Sequence, residues 1–215
     1  MSVNTIIFDM DGTVLNTLED LSVSVNYALK KYHLPERTPE EYRLFFGNGI
    51  RYAIRCAAPR GTSEEMLDEL VSVYREHYNR RCLDRTEPYK GIRELMQQLQ
   101  LRGFKMAVVS NKIDSAVKEL NDRFFSEYIN VAIGEKEGIR RKPAPDTVLS
   151  AIKELGSTGE ESVYVGDSEV DYQTAQNAGI PCISVLWGFR DKEFLVREGA
   201  TVFAETPADI LRLIS

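Results

Sequence analysis

Two aspartates one residue apart open the stretch Asp9-Met10-Asp11-Gly12-Thr13. Carboxylates that face one cleft repel each other unless a cation or a shared proton lies between them. An oxygen-ligated hard cation and acid–base chemistry are the expected uses of such a pair. Three more groups of polar residues recur further on. Ser110 and Asn111 follow Ala107-Val108-Val109, and Lys142 sits in Arg141-Lys142-Pro143-Ala144-Pro145. Asp167 and Asp171 lie in Gly166-Asp167-Ser168-Glu169-Val170-Asp171, after Val163-Tyr164-Val165. Phosphoryl transfer would use all four groups. A carboxylate attacks phosphorus, and a second acid protonates the leaving oxygen and then deprotonates water. A magnesium ion relieves repulsion between nucleophile and phosphate. Hydroxyl, amide and ammonium donors hold the equatorial oxygens, and backbone N–H groups of the Gly12-Thr13 turn would extend that cradle.

Singly, each group has an ordinary structural role. An Asp after a strand caps a helix, Ser-Asn suits a strand-to-helix turn, Asp-Gly is a common turn pair, and a Lys is usually solvated. The case rests on the order of all four groups and on their shared position at strand ends.

Those strand ends are read from apolar runs. Ile6-Ile7-Phe8 is a short buried strand that ends at Asp9. Phe104 to Val109, Asn130 to Ile133, Ser162 to Val165, Pro181 to Val185 and Thr201 to Phe203 read as further strands. Helices are expected between them: one carrying Ile92, Leu95, Met96 and Leu99 on one face, then Asp114 to Arg123, Pro143 to Leu155, Val170 to Ala178 stopping at Gly179, and Pro207 to Leu213. This alternation predicts an α/β fold, a mainly parallel sheet with helices on both faces. Ligands bind such sheets at the carboxyl ends of the strands.

The stretch between the first two strands breaks the rhythm, since a parallel crossover needs only about a dozen residues. Leu18, Leu21, Val25, Ala28, Leu29 and Tyr32 share a helical face, as do Met66, Leu67, Leu70, Val73, Tyr74, His77 and Tyr78. A long structureless loop is improbable in a compact domain. The expected organisation is an α/β core, residues 1–16 and 84–215, with an inserted α-helical cap domain, residues 17–83. A cap tethered beside the site would exclude water and select substrates.

Bulk properties narrow the function. The chain has 215 residues, 43% hydrophobic and 28% charged, with a net charge of −6. A packed core follows, and a nucleic-acid partner bound through phosphate neutralisation is disfavoured. The three cysteines, Cys56, Cys82 and Cys182, form no CxxC or Cys/His cluster, so each reads as a small buried hydrophobe. His33 and His77 read as surface or packing residues. No apolar stretch reaches the ~18 residues of a bilayer span, and no secretory leader is legible. The expectation is a cytoplasmic protein with no membrane partner.

The four groups closely resemble the motifs of the haloacid dehalogenase-like hydrolase superfamily: DxDGT at Asp9–Thr13, Ser110, Lys142, and GDxxxD at Gly166, Asp167 and Asp171. The insert, the Ser110-Asn111-Lys112 string and Lys142-Pro143-Ala144-Pro145 are similar to its phosphoglycolate phosphatase-like branch. The resemblance implies a Rossmann-like core with a helical cap and a Mg2+-dependent phosphatase acting on a small phosphorylated metabolite. It implies Asp9 as nucleophile and Asp11 as general acid/base. Asp9, the main-chain carbonyl of Asp11 and Asp167 would hold Mg2+, with Asp171 in support. Ser110, Asn111 and Lys142 would bind the phosphoryl group. Asn16-Thr17 stands where many relatives have Asp-Ser. In the insert, Gly47-Asn48-Gly49-Ile50-Arg51 is a plain turn or a substrate contact, and Arg51 reads as a solvated helix residue or a carboxylate clamp. Trp187 lines the rim or packs beneath it. The alternatives are a phosphosugar mutase of the same superfamily and a receiver-type phospho-accepting domain.

Overall fold

The computed structural model describes residues 3–214; positions 1, 2 and 215 of the expected core lie outside the described residues. The chain divides into two compact units. One runs to Leu15 and resumes at Pro88, and the other is Asn16–Glu87.

The first unit is built on a six-stranded sheet. Its strands are β1 (Thr5–Phe8), β4 (Lys105–Ile113), β5 (Val131–Glu135), β6 (Ser162–Gly166), β7 (Cys182–Val185) and β8 (Phe203–Ala204). The order is β5-β4-β1-β6-β7-β8, and every pairing is parallel. After β1 the chain builds outward through β4 and β5, then crosses back to add β6 on the other side of β1. That reversal opens the crevice in which doubly wound sheets bind ligands. Strands β2 (Leu15–Asn16) and β3 (Glu87–Pro88) carry the chain between the units.

Period-2 alternation splits the sheet's side chains between two cores. Ile6, Phe8, Val108 and Val165 pack with Ile92, Leu95, Met96 and Leu99 of α5 (Ile92–Leu101), with Val117 and Leu120 of α6 (Asp114–Phe124), and with Ile210 of α10 (Pro207–Leu213). Ile7, Ala107, Val109 and Tyr164 pack with Val148, Ala151 and Ile152 of α7 (Asp146–Glu154) and with Ala175 of α8 (Glu169–Ala178). Burial on both faces is why these strands read as continuous apolar runs.

Several element boundaries differ from expectation. Helix α7 starts at Asp146, not Pro143, because Pro145 disfavours helical geometry at Ala144. Strand β4 continues past Val109 through Ser110-Asn111-Lys112 to Ile113. The last strand lies at Phe203–Ala204, and α9 (Lys192–Arg197), capped by Asp191, was not expected.

The second unit holds α1 (Leu18–Lys31), α2 (Pro39–Phe45), α3 (Ile50–Ala57) and α4 (Glu64–Arg81). Leu21, Val25, Ala28 and Leu29 of α1 and Leu67, Leu70, Tyr74 and Tyr78 of α4 are buried. Thr38 and Glu41 cap α2 reciprocally, and the Ser63 hydroxyl caps α4. Buried Asp20 accepts from the Arg85 and Thr86 amides and from the Thr86 hydroxyl, tying the returning chain to α1. His77 stacks on Tyr27 with ring centroids 4.1 Å apart, a packing role. Arg51 pairs with Glu64 at 2.7 Å and with Asp68, both on α4, which supports the helix-surface reading over a carboxylate clamp. Cys82 is buried, but Cys56 and Cys182 are only partly so, against the expectation for all three. Among the described residues no helix is long and apolar enough to cross a membrane.

Candidate active site

The carboxyl ends of β1, β4 and β6 lie side by side, so the residues that follow them share one edge of the sheet. Asp9 leaves β1 with its amide donating to the Val165 carbonyl at 2.8 Å. The chain then folds into a tight turn, in which the amides of Thr13, Val14 and Leu15 all reach the Met10 carbonyl. Gly12 has φ +83°, and a Cβ there would lie 2.4 Å from Asp167 Oδ2. Only glycine lets the backbone approach that carboxylate so closely. The Gly12 amide donates to the Leu15 carbonyl and the Thr13 amide to Met10. These two N–H groups therefore close the turn rather than extend an anion cradle, a correction to expectation.

Lys142 is the hub. Its ammonium donates to Asp9 Oδ1 at 2.7 Å, Asp171 Oδ1 at 2.7 Å and the Tyr164 hydroxyl at 2.9 Å, and its side chain is 3% exposed. Asn111, expected among the phosphate binders, donates its Nδ2 to the Lys142 carbonyl at 3.0 Å. It thus fixes the loop that carries the lysine.

Asp171 is saturated from within. Besides Lys142 and Tyr164, it accepts from the Ser168 hydroxyl at 2.6 Å and from the amides of Asp167 and Ser168. Ser168, not Asp167, is the N-cap of α8, with Asp171 completing the capping box. That frees Asp167 for the site. Its Oδ1 accepts from the Thr13 hydroxyl at 3.3 Å and its Oδ2 from the Phe189 amide at 2.6 Å. Gly188 presses against the same side chain: a Cβ there would come within 2.3 Å of Asp167 Cβ. Oxygens of Asp9, Asp167 and Asp171 lie within 4.8 Å of one another, close enough for one cation.

Asp11 stands apart from that trio. Ser110 Oγ lies 3.5 Å from Asp11 Oδ2 and accepts from the Lys112 amide. The Lys112 ammonium is 3.0 Å from Asp11 Oδ1, an ion pair in which that buried oxygen receives no well-aligned hydrogen bond. Sequence reasoning missed Lys112 and Tyr164. The apolar run that marks this strand ends at Val109, so the sequence gives no sign that Lys112 sits beside Asp11. Trp187 donates from Nε1 to the Thr13 carbonyl at 2.9 Å and packs against the apolar core, so it braces the turn rather than lining a rim.

The electrostatics follow from this crowding. Burial raises the Asp9 carboxyl well above its ordinary value; the Asp171 charge adds to the rise and Lys142 opposes it. Burial, again reinforced by Asp171, pushes Asp167 up to about 7 against the pull of the Phe189 amide and Arg190. For Lys142 burial acts downward, but Asp171 and Asp9 outweigh it and hold the ammonium charged well above the usual lysine range. Four carboxylates, Asp9, Asp11, Asp167 and Asp171, face two ammonium groups, Lys112 and Lys142, so with all four ionised two negative charges are unmatched. A bound divalent cation is the complement of that imbalance, and the all-oxygen donor set suits a hard ion.

The haloacid dehalogenase-like hydrolase family model matches residues 6–185. A phosphoglycolate phosphatase of Aquifex aeolicus is 30% identical over 188 residues, covering 87% of this chain and 86% of that protein. Pyrophosphatase PpaX of Halalkalibacterium halodurans is 30% identical over 225 residues, covering 100% of this chain and 98% of its own length. Among solved structures, a candidate phosphoglycolate phosphatase from Lactobacillus delbrueckii subsp. bulgaricus superposes with a TM-score of 0.94 at 36% identity, covering 100% of this chain and 99% of that one.

Proposed function

The chain belongs to the haloacid dehalogenase-like hydrolase family, and from that membership we propose a Mg2+-dependent phosphatase that cleaves a small phosphomonoester through an aspartyl-phosphate. The observation that carries this reading is the buried cluster of Asp9, Asp167 and Asp171 around Lys142, two charges short of neutrality once Asp11 and Lys112 are counted.

Asp9 and Asp167, with the main-chain carbonyl of Asp11, would hold Mg2+. Asp171, fully hydrogen-bonded, supports the site by fixing Lys142 and the Asp167 backbone. When bound, the ion offsets the repulsion between carboxylates and phosphate and stabilises charge on the phosphoryl oxygens. An Asp9 carboxylate oxygen forms the new bond to phosphorus as the bond to the leaving oxygen breaks. Asp11 gives its proton to that oxygen, then takes one from the water that attacks the aspartyl-phosphate, releasing phosphate and restoring Asp9. The Lys142 ammonium and the Ser110 hydroxyl hold the phosphoryl oxygens, while Asn111 keeps Lys142 in place. The substrate is a small phosphorylated metabolite, with phosphoglycolate the first candidate. The full-length similarity to a protein named pyrophosphatase PpaX makes inorganic pyrophosphate the second.

The test is phosphate release from a panel holding both compounds, a sugar phosphate and an aryl phosphate, with Mg2+ and with EDTA. Turnover should need Mg2+ and disappear in Asp9→Asn. A wild-type rate in that variant, or full activity in EDTA, would sink the assignment. Conversion of a sugar phosphate to its isomer without phosphate release would favour the mutase alternative.

A further inference from the structure

We propose that Lys112 is a positioning residue for proton transfer: its buried ammonium holds the Asp11 carboxyl in line with the leaving oxygen. The inference rests on the phosphatase reading above and adds a residue to it. Three observations carry it. First, the Lys112 side chain is only 5% exposed, and a desolvated ammonium needs an anionic partner. An anionic partner is present in Asp11 Oδ1 at 3.0 Å, whereas Lys142 serves Asp9 and Asp171. The two lysines therefore divide the carboxylates between them.

Second, β4 runs on to Ile113 and presents alternate side chains to opposite sides. Ser110 and Lys112 both face Asp11, whereas Asn111 reaches the Lys142 carbonyl. The Lys112 amide also donates to Ser110 Oγ at 3.2 Å, which leaves the hydroxyl proton free to point at Asp11 Oδ2. Without substrate, Asp11 is thus approached at both oxygens by one three-residue stretch of strand; when the Ser110 hydroxyl turns to a phosphoryl oxygen, Lys112 keeps its place beside Oδ1. Third, the grip on Oδ1 is ionic and off the axis of a directed hydrogen bond. The ammonium lies beside the oxygen, and no aligned hydrogen bond is made to it among the described residues. A general acid must lie within hydrogen-bond reach of the atom it protonates. A carboxyl free to rotate about its side-chain torsions would spend much of its time elsewhere.

Dependence on the leaving group separates this role from a merely structural one. The second-order constant kcat/KM reports events up to departure of the leaving group. An aryl phosphate such as 4-nitrophenyl phosphate expels a stable phenolate and needs little protonation. An alkyl phosphate such as n-butyl phosphate expels an alkoxide and needs the acid fully. Neither leaving group bears a second anion. In Lys112→Met, kcat/KM for the alkyl ester should fall by about 100-fold, the scale of general acid catalysis, and for the aryl ester by less than about fivefold. Lys112→Arg, which keeps the charge, should recover most of the alkyl rate. If Lys112→Met does not fold, Lys112→Gln is read in the same way. Equal losses on both esters, or no loss on either, overturn the assignment. So does a loss confined to substrates that carry a second anion, since Lys112 would then bind substrate directly. A wild-type protein inactive on both esters would overturn the phosphatase reading itself, and this inference with it.

Discussion

Replacing Lys142 with Met removes the one ammonium shared by Asp9 and Asp171 and leaves a side chain of similar length. In the wild type the ammonium lies 2.7 Å from each carboxylate and 2.9 Å from the Tyr164 hydroxyl, with 3% of its side chain exposed. Deleting one member of a buried pair leaves its partner uncompensated and costs about 3–5 kcal/mol. At about 2–4 °C per kcal/mol for a chain of this size, the melting temperature of the metal-free variant should fall by about 6–20 °C at pH 8. The sign of the pH dependence follows from Asp9, whose proton affinity burial has already raised. Without the ammonium its charged form is less favourable still, so Asp9 takes up a proton as the pH falls and the repulsion with Asp171 is relieved. The gap between wild type and variant should narrow from pH 8 to pH 5.5. Thermal melts at both pH values in EDTA measure it. A fall below about 2 °C at pH 8, or a gap that widens toward acid, would refute the claim that Lys142 balances these carboxylates.

Two further outcomes follow from the same cluster. Gly12→Ala places a Cβ 2.4 Å from Asp167 Oδ2 at a residue with φ +83°. The backbone strain alone costs about 1–2 kcal/mol, and Asp167 must move, so the Mg2+ concentration for half-maximal activity should rise; an unchanged Mg2+ titration would show that Asp167 does not serve the ion. Asp167, pushed up to about 7, contributes stability that is present below the ordinary aspartate value and lost as pH rises through about 7 in the metal-free protein. Mg2+ binds the ionised form, so the stabilisation by 5 mM Mg2+, an arbitrary assay concentration of about this order, should be larger at pH 8 than at pH 6; melts showing the reverse order would count against Asp167 as a ligand.

The frame of the candidate site was legible because its determinants are local. Buried parallel strands read as unbroken apolar runs, so the ends of β1 and β6 could be marked from Phe8 and Val165 to within a residue, while the run ending at Val109 stopped short of the end of β4 at Ile113; the acids, hydroxyl and lysine after these runs stood out by type. What escaped depends on partners distant in the chain. Tyr164 reads as one more core residue of Val163-Tyr164-Val165, and its hydroxyl acquires a role only when Lys142 and Asp171 arrive from other elements. Lys112 stands only as the last letter of Ser110-Asn111-Lys112 until β4 is seen to extend past Val109. The Gly12-Thr13 amides were misjudged because a turn's own closure competes with ligands for its N–H groups. Arg51 looked available because Glu64 and Asp68, which hold it, lie on a different helix.

The placement of opposite charges also explains why two lysines are needed. With one lysine, four carboxylates would leave an excess of three negative charges, beyond what one divalent cation offsets. With a third, the pocket would approach neutrality without metal and its pull on a cation would weaken. Lys142 is wired to Asp9 and Asp171, and Lys112 pairs with Asp11. This arrangement gives Asp11, the proposed proton carrier, a different cationic partner from Asp9 and Asp171, although its charge still reaches Asp9. The sheet itself enforces that difference. Lys112 arrives on β4, on one side of β1, while Asp167 and Asp171 follow β6 on the other. An aspartate placed at the end of β1 and another two residues later thus meet different partners, which is how two identical side chains come to hold different roles.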